Sequence, residues 1–496
     1  MRPAFWKSLT GLLWAALLLL LPLTSFPPLA ALMGTNSVAA PAMILAGLLF
    51  VLWGGRAVVH RERFPRQVIP FLGFVLAAGL ASARGFFLAL PPFRGAVIWR
   101  EELDAGITLL VGAAVYLLAA SYPRDEDSLR KTLRFIYGGG IILLGWSLLQ
   151  GAFVLCCEGE YPGWLKAIQS FLSIRKLFYN RVSGFAYEPS WLAHQLNLVY
   201  LPLWLAATVR RTSAYKFRLW RLTVENIALA GGVLVLFLSI SRVGWLAFGL
   251  VLAYVFAGWS WRLVRRVREG LVSRFVREAR GLALIRVLLT AGLSLLLLGI
   301  FVGGGLAVVA VGSRLDPRLE NLANRMENAY GFYDLTNRVG FAERVVFWAV
   351  GWRVFAEYPF LGVGLGNSGF FFIEKMPTYG WNLTEINDIY ARRDFVPNTK
   401  SIWTRVLAET GLLGFACFSV WLFLLWKSAR AAEQAASPLI ATLATGGKFA
   451  LLALLIEGFS VDSFALPYIW FALGLLTATA GVWARNIQLA GCRRGG

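Results

Sequence analysis

Residues 223–259 read TVENIALAGGVLVLFLSISRVGWLAFGLVLAYVFAGW. Two apolar runs meet at the short polar join Ser239–Gly244, and each run is about 18 residues, near the length a helix needs to cross a hydrocarbon core. Neither run alternates apolar and polar positions as a barrel strand does. The pattern recurs on both sides of this pair. Further spans are expected near 9–25, 38–54, 67–89, 105–121, 134–155, 191–209, 283–311, 403–426, 437–457 and 464–483, which with 223–240 and 243–259 makes about twelve. Apolar residues form 58% of the 496 and charged residues 15%. The expected fold is therefore an all-α polytopic membrane protein with about twelve transmembrane helices. The first run follows Arg2 and Lys7 like a signal peptide, but it continues without a small-residue cleavage site and is read as a retained span.

The net charge of +21 raises nucleic acid as a partner, and the placement of the charges argues against it. Cations cluster in alternate connections, at Arg56, Arg61, Arg63 and Arg66, at Arg124 to Lys131, at Arg210 to Arg218 and at Arg262 to Arg268. Lys427, Arg430, Arg493 and Arg494 fall on the same side. Positive loops face the cytoplasm, so both termini are expected inside, in a bacterial inner membrane. The connections left outside are Arg94–Asp104, Cys156–Ser190, Ser239–Gly244 and Ser313–Lys400. The expected organisation is nine spans over 1–312, a large periplasmic loop over 313–402, and three spans with a cytoplasmic tail over 403–496. The four cysteines, Cys156, Cys157, Cys417 and Cys492, show no metal-ligand spacing, and neither metal nor cofactor is expected.

The large loop carries its own helical pattern. Val345, Trp348 and Trp352 recur at helical spacing between Phe341 and Phe355, with Glu343, Arg344 and Arg353 off that stripe, which predicts an amphipathic helix along the outer interface. Pro359 then ends it and GVGLG, residues 362–366, makes a turn. No separate soluble domain is expected.

Several groups have the chemistry for a site. Arg242 sits at the join of two spans, either as a stop signal at a tight turn or as a cation kept for a ligand, since charge near a bilayer is costly. Arg84 in LASARGFF poses the same question, with snorkelling as the plain alternative. Arg181 and Glu188 lie seven residues apart in RVSGFAYEPSWLA. Glu188 before Pro189 suits a helix start, and equally a general base. His194 is read as a packed or hydrogen-bonded histidine, and His60 as uninvolved. Arg338, Arg344 and Arg353 precede Gly362, Gly364, Gly366 and Asn367. Guanidinium forks suit phosphate and glycines let amides approach an anion, while the alternative is an interfacial helix followed by a turn. The glycines lack the lysine-serine ending of a P-loop, so nucleotide binding is not expected.

The run from Arg344 through FWAVGWRVFAEYPFLGVGLGN, followed by SIWTRVLAETGLLGF, resembles the shared core of the O-antigen ligase and polymerase superfamily of bacterial membrane glycosyltransferases. SISRVGW resembles that family's earlier Ser-Arg-Gly element, and RVSGFAYEPSWLA looks like the Glu-Pro-Ser element of its exopolysaccharide polymerase branch. The resemblance covers roughly Arg181 to Phe415. It implies a GT-C-like, metal-independent enzyme that takes an undecaprenyl-diphosphate-linked glycan donor and transfers it to a glycan acceptor, releasing the lipid diphosphate. Arg242 and Arg344 are expected to bind the diphosphate, with Arg181 and Arg338 close behind. Ligases of the family carry a histidine about eleven residues before the glycine matching Gly411, where this chain has Lys400. An ordinary lysine is protonated at pH 7 and is a poor base. Lys400 is thus expected to act as a cation on phosphate, with Glu188 as the base. The expected activity is polymerisation of lipid-linked repeat units, with a chain-length regulator as an optional partner. An O-antigen ligase, a protein O-glycosyltransferase and a transporter remain as alternatives.

Overall fold

The structure is a computed structural model that describes residues 3–35, 38–54, 65–275, 282–315, 330–338, 340–391 and 396–494. Among these residues nine helices are long and apolar enough to cross a membrane: Val68–Gly85, Ile98–Ser121, Glu126–Cys156, Pro189–Arg210, Arg242–Val267, Thr290–Ala307, Ile402–Ala432, Pro438–Glu457 and Pro467–Leu489. Three shorter apolar helices, Ser8–Leu20, Pro41–Gly54 and Val224–Leu238, fall where spans were expected. At 15 residues the last reaches about 22 Å, less than a hydrocarbon core of about 30 Å. The chain is an all-α polytopic membrane protein. Among the described residues the strands Arg218–Leu219 and Leu222–Thr223 form a small hairpin. Arg56, His60, Arg61 and Arg63 lie outside the described residues.

Polar side chains start several of these helices. The Asp125 carboxylate accepts from the Ser128 N–H while the Ser128 hydroxyl serves the Asp125 N–H, a capping box that opens the 126–156 helix. Thr223 caps the Asn226 N–H, and Ser437 before Pro438 caps that of Ile440. The Arg262–Arg268 stretch, expected as a connection, continues the helix that begins at Arg242 and runs to Phe275. Arginine has good helix propensity, so charge ends the membrane-compatible window without ending the helix.

The chain divides into two units, Met1–Gly244 with Phe341–Gly496, and Trp245–Gly340. In the larger unit, Phe71, Tyr116, Phe418, Trp421 and Trp470 interlock at ring-centroid distances of 4.5 to 6.2 Å, joining the helices that begin at Val68, Ile98, Ile402 and Pro467. Tyr116 Oη hydrogen-bonds Thr477 Oγ1 at 3.0 Å and accepts from Trp421 Nε1 at 3.1 Å, so the buried polar atoms of the cluster are satisfied. Lipid tails are as apolar as these side chains, so close packing and such bonds hold the spans together.

A second apolar core lies under the large loop. It unites Ala342, Val346, Phe347, Val350 and Val354 of the helix Ala342–Glu357 with Val363, Phe370, Phe371, Phe372, Met376 and Ala408. The buried stripe therefore differs from the expected one. Trp352 is exposed, and Trp348 packs edge-on against Phe459 at 5.4 Å. The helix is apolar on most of its circumference, and its small and branched residues fit the close contact better than the indoles do. Its far end is tied down: Arg353 Nη1 donates to the Lys375 carbonyl, and Lys375 Nζ reaches Glu357 at 2.6 Å and Glu374 at 2.7 Å. Those two carboxylates hold the Lys375 ammonium above the usual lysine range, the bond to Glu357 contributing most.

The 402–432 helix is interrupted at Gly411, where φ is 62° and ψ −164°. Beyond the break, Leu412 N–H donates to Pro359 O at 2.7 Å and Leu413 N–H to Phe360 O at 3.2 Å.

In the smaller unit, the helix Phe332–Arg338 carries an ion pair one turn apart, Arg338 Nε to Asp334 Oδ2 at 2.7 Å.

Candidate active site

Three helix starts in the larger unit meet the candidate cations. At the first, Ser239 Oγ donates to Leu236 O, Ile240 takes a left-handed φ of 49°, and Ser241 Oγ accepts from Gly244 N–H at 3.3 Å. This serine-rich turn caps the helix whose first residue is Arg242. The guanidinium of Arg242 lies over the Phe341 ring at 4.8 Å, at the start of the 342–357 helix. At the third start, Lys400 has a left-handed φ of 53° just before the 402–432 helix, and its ammonium lies 5.3 Å from the Phe347 ring centroid. Arg344 stands one turn after Phe341 and one turn before Phe347. It is half-buried, and among the described residues its guanidinium makes no hydrogen bond or ion pair. Phe341, Arg344 and Phe347 share one side of this helix, with Arg242 and Lys400 over its two rings, and helix starts add the positive ends of backbone dipoles. The arrangement suits a doubly charged anion such as a diphosphate.

The other expected residues are placed differently. Arg181 lies over the Phe178 ring at 4.8 Å, and its neighbour Val182 N–H donates to Leu238 O at 2.9 Å, near the serine turn. Glu188 does start a helix at Pro189, yet its carboxylate makes no cap. It accepts from Ser190 Oγ at 3.2 Å and pairs with Arg175 at 3.6 Å, remaining 40% exposed and so open to an incoming hydroxyl. Arg338 belongs to the smaller unit, held by Asp334. Arg84 donates to Gly362 O at 2.8 Å, a use neither expectation named.

The GVGLG amides do not form an anion cradle. Gly362 N–H donates to Tyr358 O, Val363 N–H to Ala408 O, Gly364 N–H to Glu409 O and Leu365 N–H to Ser82 Oγ. The glycines serve approach instead. A Cβ on Gly364, at φ 93°, would stand 2.7 Å from Glu102 Oε1. Beneath the turn, Asn367 Nδ2 donates to Glu102 Oε1 at 2.5 Å, and Ser368 Oγ donates to Glu409 Oε1 at 3.0 Å. Arg405 Nε bonds both Glu409 oxygens and its Nη1 donates to Asp462 O. The SIWTRVLAET arginine is thereby engaged within the protein.

A buried carboxylate supports the site from below. Glu457 ends its helix and accepts from Asn197 Nδ2 at 2.5 Å, and the same amide donates to Gly244 O at 2.8 Å. The carbonyl of Gly458 takes Ser401 Oγ at 3.0 Å and Ile402 N–H at 2.9 Å. Sequence reading missed Glu457, because a lone acid at the end of an apolar run looks like a boundary. Among the described residues no group of three or more His, Cys, Asp or Glu could hold a metal ion.

Residues 227–419 match a family model described as O-antigen ligase. This match supports the O-antigen ligase and polymerase superfamily. The matched O-antigen ligase stretch contains Arg242, Arg338, Arg344 and Lys400, while Arg181 and Glu188 precede it. No curated protein matches the chain.

Proposed function

We propose that this protein polymerises undecaprenyl-diphosphate-linked oligosaccharide repeat units into O-antigen or exopolysaccharide on the periplasmic side of the inner membrane. The observation that carries this is Arg344, a half-buried guanidinium flanked on its helix by the rings under Arg242 and Lys400. In the transfer, the bond from the anomeric carbon to the diphosphate oxygen breaks as a bond to the acceptor hydroxyl oxygen forms. The electron pair leaves on the diphosphate, where fixed cations stabilise it without reorganising. The hydroxyl proton passes to a base, for which Glu188 is the exposed carboxylate of the set. Glu409 and Glu457, at 1% and 0% exposed, are closed to an acceptor. Arg181 is assigned a secondary part in holding the donor.

The family description favours a second reading, a ligase that uses the same cations with a lipid A core as acceptor. Lys400 in place of the family's histidine supports the polymerase. The test is to incubate the purified protein with a lipid-diphosphate-linked repeat unit and resolve the products by gel. A ladder of multiples supports the polymerase. Transfer only when a lipid A core is added moves the function to a ligase, and no transfer under either condition overturns both.

A further inference from the structure

The reaction leaves one built feature unused, the hairpin between the helices Pro189–Arg210 and Val224–Leu238. Its tip residue Trp220 holds a left-handed φ of 58°, a conformation that is uncommon for a bulky side chain and one that fixes where the indole projects. Trp220 is 95% exposed and Phe217 64%, with Lys216, Arg218 and Arg221 exposed beside them. The stem is firmly held. Glu225, fully buried, accepts from Ser213 Oγ at 2.8 Å and from Ala214 N–H at 2.7 Å. Tyr215 Oη donates to Arg134 O at 3.2 Å, and Arg134 Nε donates to Ala214 O at 3.4 Å. From Arg210 to Leu222 there are five cations and no acidic residue.

We propose that this hairpin is a binding site for anionic phospholipid headgroups of the leaflet it borders. It begins directly beyond the ends of two apolar helices, which sets its side chains near the depth of a membrane interface. Indole and phenyl rings favour that depth, and arginines beside them meet lipid phosphates with paired hydrogen bonds. Cations drawn to an anionic surface add to the attraction, and while Arg210 pairs with Glu433 at 3.8 Å, Lys216, Arg218 and Arg221 stand exposed at the hairpin. The interleaving of cationic and apolar residues from Lys216 to Leu222 suits a boundary between two phases. A soluble partner would find little area on strands of two residues each.

The test uses the full chain in nanodiscs of phosphatidylcholine, with and without phosphatidylglycerol. Thermal unfolding midpoints and the phosphatidylglycerol retained in native mass spectra are both read. Phosphatidylglycerol should raise the wild-type midpoint, and R218Q/R221Q should lose at least half of that rise and retain fewer of these lipids. A full rise and an unchanged lipid count in the double variant would overturn the proposal. So would a wild-type rise reproduced by free glycerol phosphate, which would make the hairpin a soluble-phosphate site. Should the double variant fail to fold, photoactivatable phosphatidylglycerol on the wild type decides. Crosslinks must map to residues 216–222, and crosslinks found only elsewhere overturn the proposal. None of these outcomes depends on glycosyl transfer.

Discussion

His194 Nδ1 lies 2.5 Å from Glu457 Oε2, and both side chains are buried. With Asn197 on its other oxygen, Glu457 ties the start of one span and the backbone beside Arg242 to the end of another span. Lys400 is set by the same corner, since Ser401 bonds the next carbonyl.

Glu457→Ala should therefore be among the most damaging single changes. It strips His194 and Asn197 of a shared acceptor, and each buried polar group left unsatisfied costs about 1–3 kcal/mol. Glu457→Gln keeps an acceptor and should cost less. Thermal unfolding in detergent checks this, and an unchanged midpoint for the alanine variant would refute the supporting role.

Arg344→Ala should abolish transfer while the protein inserts and unfolds normally, because no intramolecular bond among the described residues is lost. Arg242→Ala should do the same to transfer. Product gels on variants matched for expression give the comparison. Full-length polymer from both Arg242→Ala and Arg344→Ala would sink the diphosphate assignment.

Gly364→Ala separates two uses of the glycine turn. A left-handed φ costs a non-glycine residue about 1–2 kcal/mol, and contact with Glu102 adds to it. The variant should lower the unfolding midpoint and leave donor affinity per folded molecule intact. A loss of affinity at unchanged stability would restore the anion-cradle reading of GVGLG.

Asp125 predicts a pH effect away from the reaction. The Ser128 N–H, then its hydroxyl, hold the carboxyl below its ordinary value of 3.8. A depressed folded pKa means that the stabilisation is complete above pH 3.8 and is lost as pH falls through the folded value. Asp125→Ala should cost about 1 kcal/mol at pH 7, toward the lower end of capping effects because the site is exposed, and nothing once both states are protonated. Equal midpoint differences at pH 7 and in strong acid would contradict this.

The spans were legible because length and hydropathy are local properties, and segments such as 437–457 needed little beyond counting. The face of the 342–357 helix was not, since Val345, Trp348 and Trp352 make as good an apolar stripe as Ala342, Val346 and Val350. Burial of one set depends on partners such as Phe372 and Ala408, distant in sequence. The arginines raised the same difficulty. Arg84, Arg242, Arg344 and Arg405 look alike as charges near spans, and only their neighbours show that Arg84 and Arg405 are bonded within the protein. Glu188 as a helix start was readable from Pro189, while its partner Arg175 was not.

The break at Gly411 has a mechanical meaning. A span that stops its own ladder and lends the next two amides to Pro359 and Phe360 is stitched to the loop above it. The chain at Pro359 and Phe360 cannot part from this span without leaving those two amides unpaired. The break thus turns a kink in one span into a fastening for a segment distant in sequence.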